Sequence, residues 1–427
     1  MADPPRCVVA IPRSIKPLNI EFLNRRLRLP IVPLAVPFWT GETYRNIRRC
    51  LVSRDIVVGS YLVELRRQLL EYFAIPDVVL CSSGSLALEL ALRVCDLQTG
   101  DEVIIPSFCC SAVVAPIIAV GATPVLADVG SELNVTVETV DAARTRKTRA
   151  VIVPHLYGNP ADIEAIVELG TAHNIVVIDD AAQAVGATIG DQQPTGTCGD
   201  MGVISFGPEK MLSGIGGGAL LAHSGGVLDA ARQVALGYPR VGDRLATLAS
   251  TLVGRRWRRW NLPLRRMLPY GAERTPEALP DPYRRENLAN LDAAVASSLI
   301  NSLAESLEAR RTRVETYRQL LGNHAGIELI NHRPGSACLT QVMRVMPKQH
   351  GDDASSRLIS ALGDAGYEVR GSYMPIHLLA HFPECVWDRL PYTERIWADL
   401  IELPCEPDVG LEHLEAIAAI IKRGVRD

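Results

Sequence analysis

From residue 60 onward the apolar positions fall into two alternating patterns. "SYLVELRRQLLEYFAI" (60–75) carries them at helical spacing. "VVLCSSGSLALELALRVCDL" reads as strand, tight turn and helix. "DEVIIPSF" (101–108) is a strand, and "CCSAVVAPIIAVG" a helix stopped by Gly121. "TPVLADV" and "RAVIVPHLYG" are strands, "ADIEAIVELGTAHN" a helix and "IVVIDD" another strand; "DMGVISF" and "GGALLAH" close the series. Solidly apolar strands separated by helices predict a mostly parallel α/β sheet covered on both faces. The pattern places this large domain at 60–240.

Outside that stretch the rhythm changes. Residues 1–59, rich in Pro and Arg, read as an arm and a first short helix. Residues 241–286 interrupt the alternation with "RRWRRWNLPLRRMLP" (255–269). The spacing of 287–321 predicts one long amphipathic helix, which with its end forms a link over 287–324. The remainder, 325–427, holds strand-like "ACLTQVMRVM" and the helices "SSRLISALGDAG" and "GLEHLEAIAAIIKRG", which suggests a smaller α+β domain.

Composition narrows the class without naming a ligand. The 427 residues are 48% hydrophobic and 22% charged, ordinary values for a globular chain with more than one domain. A net charge of −4 gives no overall pull toward nucleic acid. Ten scattered cysteines, with no CxxC and no cysteine–histidine metal spacing, point to reduced thiols in a cytoplasmic protein and to no metal site. His155 and His377 read as isolated, without an HExxH partner. The start "MADPPRCVVAIPRS" lacks the apolar core of a signal peptide, and no window predicts a membrane span.

Four stretches put polar groups at strand ends, where ligands of open α/β sheets bind. In "CSSGSLAL", Ser83, Gly84 and Ser85 lie where a strand turns into a helix, and a helix N-terminus suits a phosphate. In "VVIDDAAQAVGA", Asp180 ends a strand, and Gln183 lies one turn further on if a helix begins there. Ser205 ends the strand "VIS", and its hydroxyl can join a phosphate cup. Lys210 follows, framed by Gly214, Gly216, Gly217 and Gly218. Each has an ordinary structural reading alone: a serine cap, an aspartate cap, a structural serine, a surface lysine. Together they are what pyridoxal 5′-phosphate needs: an amine for its aldehyde, an acid for its ring nitrogen and donors for its phosphate. "CSSGSLAL" is not GxGxxG and "GPEKMLSG" is not GxxxxGK[ST], which sets nucleotide loops aside.

With those residues in view, the chain resembles the DegT/DnrJ/EryC1/StrS family of pyridoxal-phosphate-dependent sugar aminotransferases. The likeness rests on "GDEVIIPSF", "GATPVLADV", "VIVPHLYGNPADI", "IDDAAQAVGA", "GDMGVISFGPEKMLSGIGGGALL", "LDAAVASSL" and "YMPIHL". It implies a fold-type I enzyme: a large, mostly parallel seven-stranded sheet domain with a smaller α+β C-terminal domain. It also implies a homodimer with shared active sites, a small-molecule amino donor and a keto-sugar or cyclitol-type acceptor. By position, Lys210 resembles the Schiff-base lysine and Asp180 the partner of the pyridine nitrogen. Gln183 resembles the residue near the phenolic oxygen, and Gly84, Ser85 and Ser205 match phosphate-binding positions. Asn287, with Arg285 as the second choice, falls in the segment that reaches the neighbouring subunit's phosphate. Tyr373 and His377 lie on the substrate side.

The chain departs from the family pattern in places. Cys110 stands where an aromatic residue stacks over the ring, which leaves a thin polarisable surface there; the parity of Phe108 points elsewhere. Asp179 replaces a glutamate, and "YRRENLANLDAA" replaces the usual G-x-N-x-R segment. The insertion carries six arginines in the twelve residues 255–266. Its readings are a solvated flap, an arginine clamp for a nucleotide diphosphate, a partner surface and, not favoured, a membrane contact. Two other functions fit the same fold. One is a dehydratase or other carbanion chemistry, against which the retained Lys210 argues, because the resembling dehydratases carry histidine there. The other is a non-catalytic sensor or scaffold.

Overall fold

The computed structural model describes residues 32–190, 192–239, 244–260, 283–346, 354–380 and 382–425. Two helices, α1 (Gly41–Ser53) and α2 (Ser60–Phe73), precede the first strand. Then β1 (Asp77–Cys81), α3 (Gly84–Arg93), β2 (Glu102–Pro106), α4 (Val114–Ala119), β3 (Thr123–Ala127), α5 (Val137–Ala143), β4 (Thr148–Pro154), α6 (Ile163–His173) and β5 (Val176–Asp180) alternate. A small ribbon of β6 (Thr188–Ile189) and β7 (Gln193–Pro194) comes before β8 (Met201–Ser205), β9 (Gly218–Ala222) and α7 (Gly225–Leu236).

The large sheet has seven strands in the order β1-β9-β8-β5-β4-β2-β3. All run the same way except β9, which pairs antiparallel with both β1 and β8. The reason lies in the connection. Residues 206–217 carry no crossover helix, and a strand that returns without one lies antiparallel. Strand residues alternate between the two faces. Val103, Ile105, Ala150, Ile152 and Val203 pack with α3, α4 and α7, whereas Ile104, Val151, Val153, Ile204 and Ala219 face the opposite layer. Both faces are buried, as the unbroken apolar strands predict.

Helix α8 (Arg244–Trp260) follows, so the segment that breaks the rhythm begins as a helix. Most of the Arg/Trp stretch, and every reading of it, lies outside the described residues. The long helix expected over 287–321 is two helices, α9 (Asn290–Asn301) and α10 (Leu303–Leu321). They part at Ser302, whose hydroxyl donates back to the carbonyls of Ser298 (3.2 Å) and Leu299 (3.3 Å). Nor is α9 amphipathic: Asn290 through Leu299 are buried on every side, against α1 and α2.

The second sheet has the order β10-β11-β13-β12, built from β10 (Ile327–Leu329), β11 (Gln341–Val345), β12 (Arg370–Gly371) and β13 (Leu400–Leu403). It is antiparallel throughout and packs on α11 (Ala354–Asp364), α13 (Leu411–Gly424) and the far half of α10. A short helix, α12 (Pro391–Ile396), links β12 to β13. The chain between them is pinned to the large sheet. Val386 pairs beside Val125 on the outer edge of β3, and Asp128 accepts from the N–H groups of Tyr392 and Thr393. The described cysteines are free thiols, and no helix of the described residues is long and apolar enough to cross a membrane.

Arg310, 1% exposed on α10, ties that helix to the small sheet's end through Glu406 (2.5 Å) and the Leu339 carbonyl (2.8 Å). Removing one partner leaves the other charge buried and uncompensated. Arg310→Met is therefore expected to cost about 3–5 kcal/mol, read as a lower midpoint in urea; an unchanged midpoint refutes this account.

Candidate active site

The parallel register lines up one row of strand ends. Pro154 pairs with Asp180, Asp180 with Val203, and Gly218 with both Ser205 and Cys81. The residues just beyond these ends meet in a cavity of about 170 Å³. Its walls include Ser83, Gly84 and Ser85 after β1, Cys109 and Cys110 after β2, His155 after β4, Asp180 and Gln183 at β5, Ser205 at the end of β8, and Lys210. A larger open groove of about 1160 Å³, between α1 and α2, is lined by none of the residues singled out from the sequence.

One end of the cavity is a helix N-terminus. Ser83 caps α3, its hydroxyl accepting from the Leu86 N–H (3.1 Å). The N–H groups of Gly84 and Ser85 belong to the first turn, which has no carbonyl inside the helix to bind. Close approach of backbone builds this corner. A Cβ on Gly84 would lie 2.9 Å from Ser205 Cβ, and one on Gly218 would lie 2.6 Å from the Gly84 nitrogen. The corner thus offers backbone donors and the hydroxyls of Ser85 and Ser205 to an anion.

The other end is acidic. Asp180 is 5% exposed, and its Oδ1 accepts from the Ala182 N–H (3.0 Å). Burial pushes its carboxyl up, while the Ala182 N–H and Lys210 draw it down. Asp180 makes no ion pair among the described residues, so it is a buried acid facing a cavity without a cation in contact. No helix begins at Asp180, contrary to the spacing argument. The Ala182 and Ala184 N–H groups close turns onto Asp180 Oδ1 and the Ala181 carbonyl, and Ala181 N–H stays with the Val203 carbonyl of β8. The turn still brings Gln183 to the cavity. Its Oε1 accepts from the Tyr157 N–H (3.1 Å), and its Nε2 donates to Tyr373 Oη (3.3 Å).

His155 is not isolated. Its Nδ1 accepts from the Ala161 N–H (2.9 Å), so Nε2 carries the proton and donates it to Asp179 Oδ1 (2.7 Å). Asp179 Oδ2 accepts from the Cys198 N–H (2.9 Å). Both side chains of the pair are fully buried, and His155 also lines the cavity. Its trace in the sequence is a histidine one residue past a solid strand, which the pairing of β4 with β5 sets beside "IDD".

Lys210 lies on the β8–β9 connection and lines the cavity. Cys110 lines the cavity and Phe108 does not; Phe108 is buried edge-on against Tyr373, with ring centroids 6.2 Å apart. Tyr373 also stacks on Tyr157 (5.8 Å). His377 Nδ1 is 2.7 Å from Ser107 Oγ, and its ring lies against Trp387 (5.9 Å). Its Nε2 is buried 3.7 Å from Glu394 Oε1, beyond hydrogen-bond reach. Neither Tyr373 nor His377 forms the cavity wall itself. Asn287 lies away from it: its amide donates to the carbonyls of Tyr238 (3.1 Å) and Ala235 (3.4 Å). Arg285 is bound to the buried Glu89 (2.9 Å) on α3.

The sequence profile of the DegT/DnrJ/EryC1/StrS aminotransferase family matches residues 39–422. The chain belongs to this family. GDP-perosamine synthase of Caulobacter vibrioides is 27% identical over 92% of this chain and 98% of its own length. A UDP-N-acetyl-3-dehydro-α-D-glucosamine 3-aminotransferase of Acidithiobacillus ferrooxidans is 35% identical over 48% of this chain; the match spans 57% of that protein, little more than half. Among solved structures, the aminotransferase TlmJ of Streptoalloteichus hindustanus superposes with a TM-score of 0.75 at 23% identity, covering 92% of this chain and 98% of that one. Family members are pyridoxal-phosphate enzymes. The donor set fits that cofactor: an anion corner at one end, a buried acid lacking a cation at the other, and an amine on the wall.

The corner depends on Gly218 staying bare. Gly218→Ala is expected to weaken pyridoxal phosphate binding by about tenfold or more, the loss of one or two charge-assisted hydrogen bonds, in equilibrium dialysis. Binding as tight as in the unaltered protein would show that the phosphate lies elsewhere.

Proposed function

We propose that this family member transfers an amino group from an amino acid such as glutamate to a keto-sugar, nucleotide-linked, or to a related cyclic ketone. It does so as a cytoplasmic homodimer with shared active sites. The observation that carries the reading is the convergence of Lys210, Asp180 and the Ser83–Ser85 helix start on one cavity. The names of the two relatives above, one GDP-linked and one UDP-linked, support a nucleotide-bearing acceptor.

Bound pyridoxal phosphate supplies an aldehyde for amines and a ring that draws electrons from the substrate carbon. The chain's residues supply the rest. Gly84, Ser85 and Ser205 bind the phosphate. Asp180 would hold the proton on the ring nitrogen, whose cationic N–H would give the buried carboxylate the ion-pair partner it lacks among the described residues. Gln183 keeps one amide hydrogen beyond the one given to Tyr373, and it would offer this to the phenolic oxygen. Cys110, on the cavity wall, would offer its polarisable sulfur to the ring. Lys210 would anchor the cofactor through its aldehyde, and its amine would move a proton between the substrate carbon and the cofactor carbon. Tyr373 and His377 stand on the substrate side, behind the wall.

Among the described cavity-lining residues Lys210 is the only lysine or arginine. A phosphate and a donor carboxylate need more positive charge than that, which supports completion of the site by a second copy. Asn287 has no part in this reading within one chain, because its amide is already spent on Ala235 and Tyr238.

Purified, cofactor-loaded protein given glutamate should release 2-oxoglutarate and lose the absorbance of the lysine-bound cofactor. Borohydride should fix the cofactor to Lys210. Lys210→Ala should abolish both half-reactions; a normal transamination rate in that variant, or label on another residue, ends the proposal. Asp180→Asn should lower kcat by about 100-fold or more, in line with the loss of a preorganised charge at the reacting centre, and a rate within a few fold of the unaltered enzyme would remove Asp180 from the mechanism.

A further inference from the structure

Glu209, next to Lys210, has φ +62°, in the left-handed region that glutamate rarely adopts. Its N–H donates to Ser213 Oγ (3.1 Å), and its carboxylate accepts from Arg370 Nη1 (3.1 Å). Arg370 stands on β12 of the small sheet, directly across from Glu402 on β13, and its Nε donates to Glu402 Oε2 (2.8 Å). Glu402 is 2% exposed; burial pushes its carboxyl up while Arg370 and Ser372 draw it down. Ser372 Oγ meets Tyr157 Oη, and the Tyr157 N–H is bound by Gln183. The network leaves the Lys210 loop, passes along the β12 edge of the small sheet and comes back to the cavity at Gln183.

One guanidinium therefore serves two unlike carboxylates. The Glu402 side chain is sealed at 3% exposure, whereas that of Glu209 is 34% exposed. A half-exposed ion pair adds little stability, yet a left-handed glutamate costs some. The pair is badly placed as a stabiliser and well placed to hold a backbone turn one residue from the working amine.

We propose that Glu209 and Arg370 are positioning residues for Lys210: through their ion pair the small sheet sets the direction in which the Lys210 amine points. This rests on the reading of Lys210 given above.

The test uses cofactor-loaded full-length protein with Glu209→Gln, Glu209→Gly, Arg370→Lys and the double variant Glu209→Gln/Arg370→Lys. Glycine keeps the left-handed turn without strain and deletes only the side chain. Lysine leaves Glu402 a cation but cannot fork to two acids. Each single variant should lose about 10- to 100-fold in kcat, the effect of a slightly misplaced reacting group. KM for the amino donor should stay within about twofold, and the thermal midpoint should stay close to that of the unaltered protein. The visible circular dichroism of the bound cofactor should change, because it reads the cofactor's asymmetric setting. The double variant should be no worse than the weaker single one, as partners in one interaction are.

A Glu209→Gly variant with unaltered kcat and unaltered visible circular dichroism overturns the proposal. So do strictly additive losses in the double variant. Failure of the underlying reading looks different: the unaltered protein itself would then give no borohydride label on Lys210.

Discussion

The in-register pairing of β4, β5 and β8, closed by the returning β9, is the constraint on which the rest depends. It places Pro154, Asp180, Ser205 and Gly218 in one row at the carboxyl edge of the large sheet. Each chain segment beyond that row must turn away from a ladder, and its next polar groups turn with it. Most backbone N–H groups just past this edge are taken by neighbouring strands and loops, as His155 N–H is by the Asp180 carbonyl and Ala181 N–H by the Val203 carbonyl, whereas the first turn of α3 has no carbonyl inside the helix for its own. The corner at the Ser83–Ser85 turn is thus a consequence of sheet geometry, with Gly84 and Gly218 letting two backbones approach closely; in the proposed reading it holds the phosphate.

Burial gives that geometry chemical force. Asp180 ends a strand whose neighbours flank it on both sides, beside the fully buried His155–Asp179 pair. An ionised carboxylate is costly there without a cation, so the position favours a ligand that brings a positively charged N–H. The same low dielectric strengthens any charge interaction made across the cavity. His155, fixed as the Nε2–H tautomer by the Ala161 N–H, donates to Asp179, and in the proposed reading Asp180 is left to the cofactor.

The second sheet is bound into this arrangement by separate kinds of contact. A strand-like bridge at Val386 and the Asp128 contacts hold the β12–β13 crossover against the large sheet. The buried Arg310–Glu406 pair holds it to α10. Ion pairs at these joints specify position because their geometry is narrow, even where their net stabilisation is small. In the proposed reading, the Glu209–Arg370 contact extends the same logic to the loop that carries Lys210.

The alternation of apolar strands with helices was legible directly. Burial on both faces of a parallel sheet leaves an unbroken run that no local turn disguises, and the strand ends in "CSSGS", "IDD" and "VIS" flagged the groups that converge. The chain alone did not reveal that β9 runs against its neighbours, that the 287–321 stretch divides at Ser302, or that Gln183 reaches the cavity on turns. Those outcomes depend on which distant carbonyl each N–H finds, and periodicity carries no record of that. The same holds for His155 with Asp179, 24 residues apart, and for Glu209 with Arg370, 161 residues apart. Local sequence determined which elements form and which side chains stand at their ends. Only the packed sheets decided which ends meet, because a charge pair across two sheets has its energy in a separation that the linear chain does not encode.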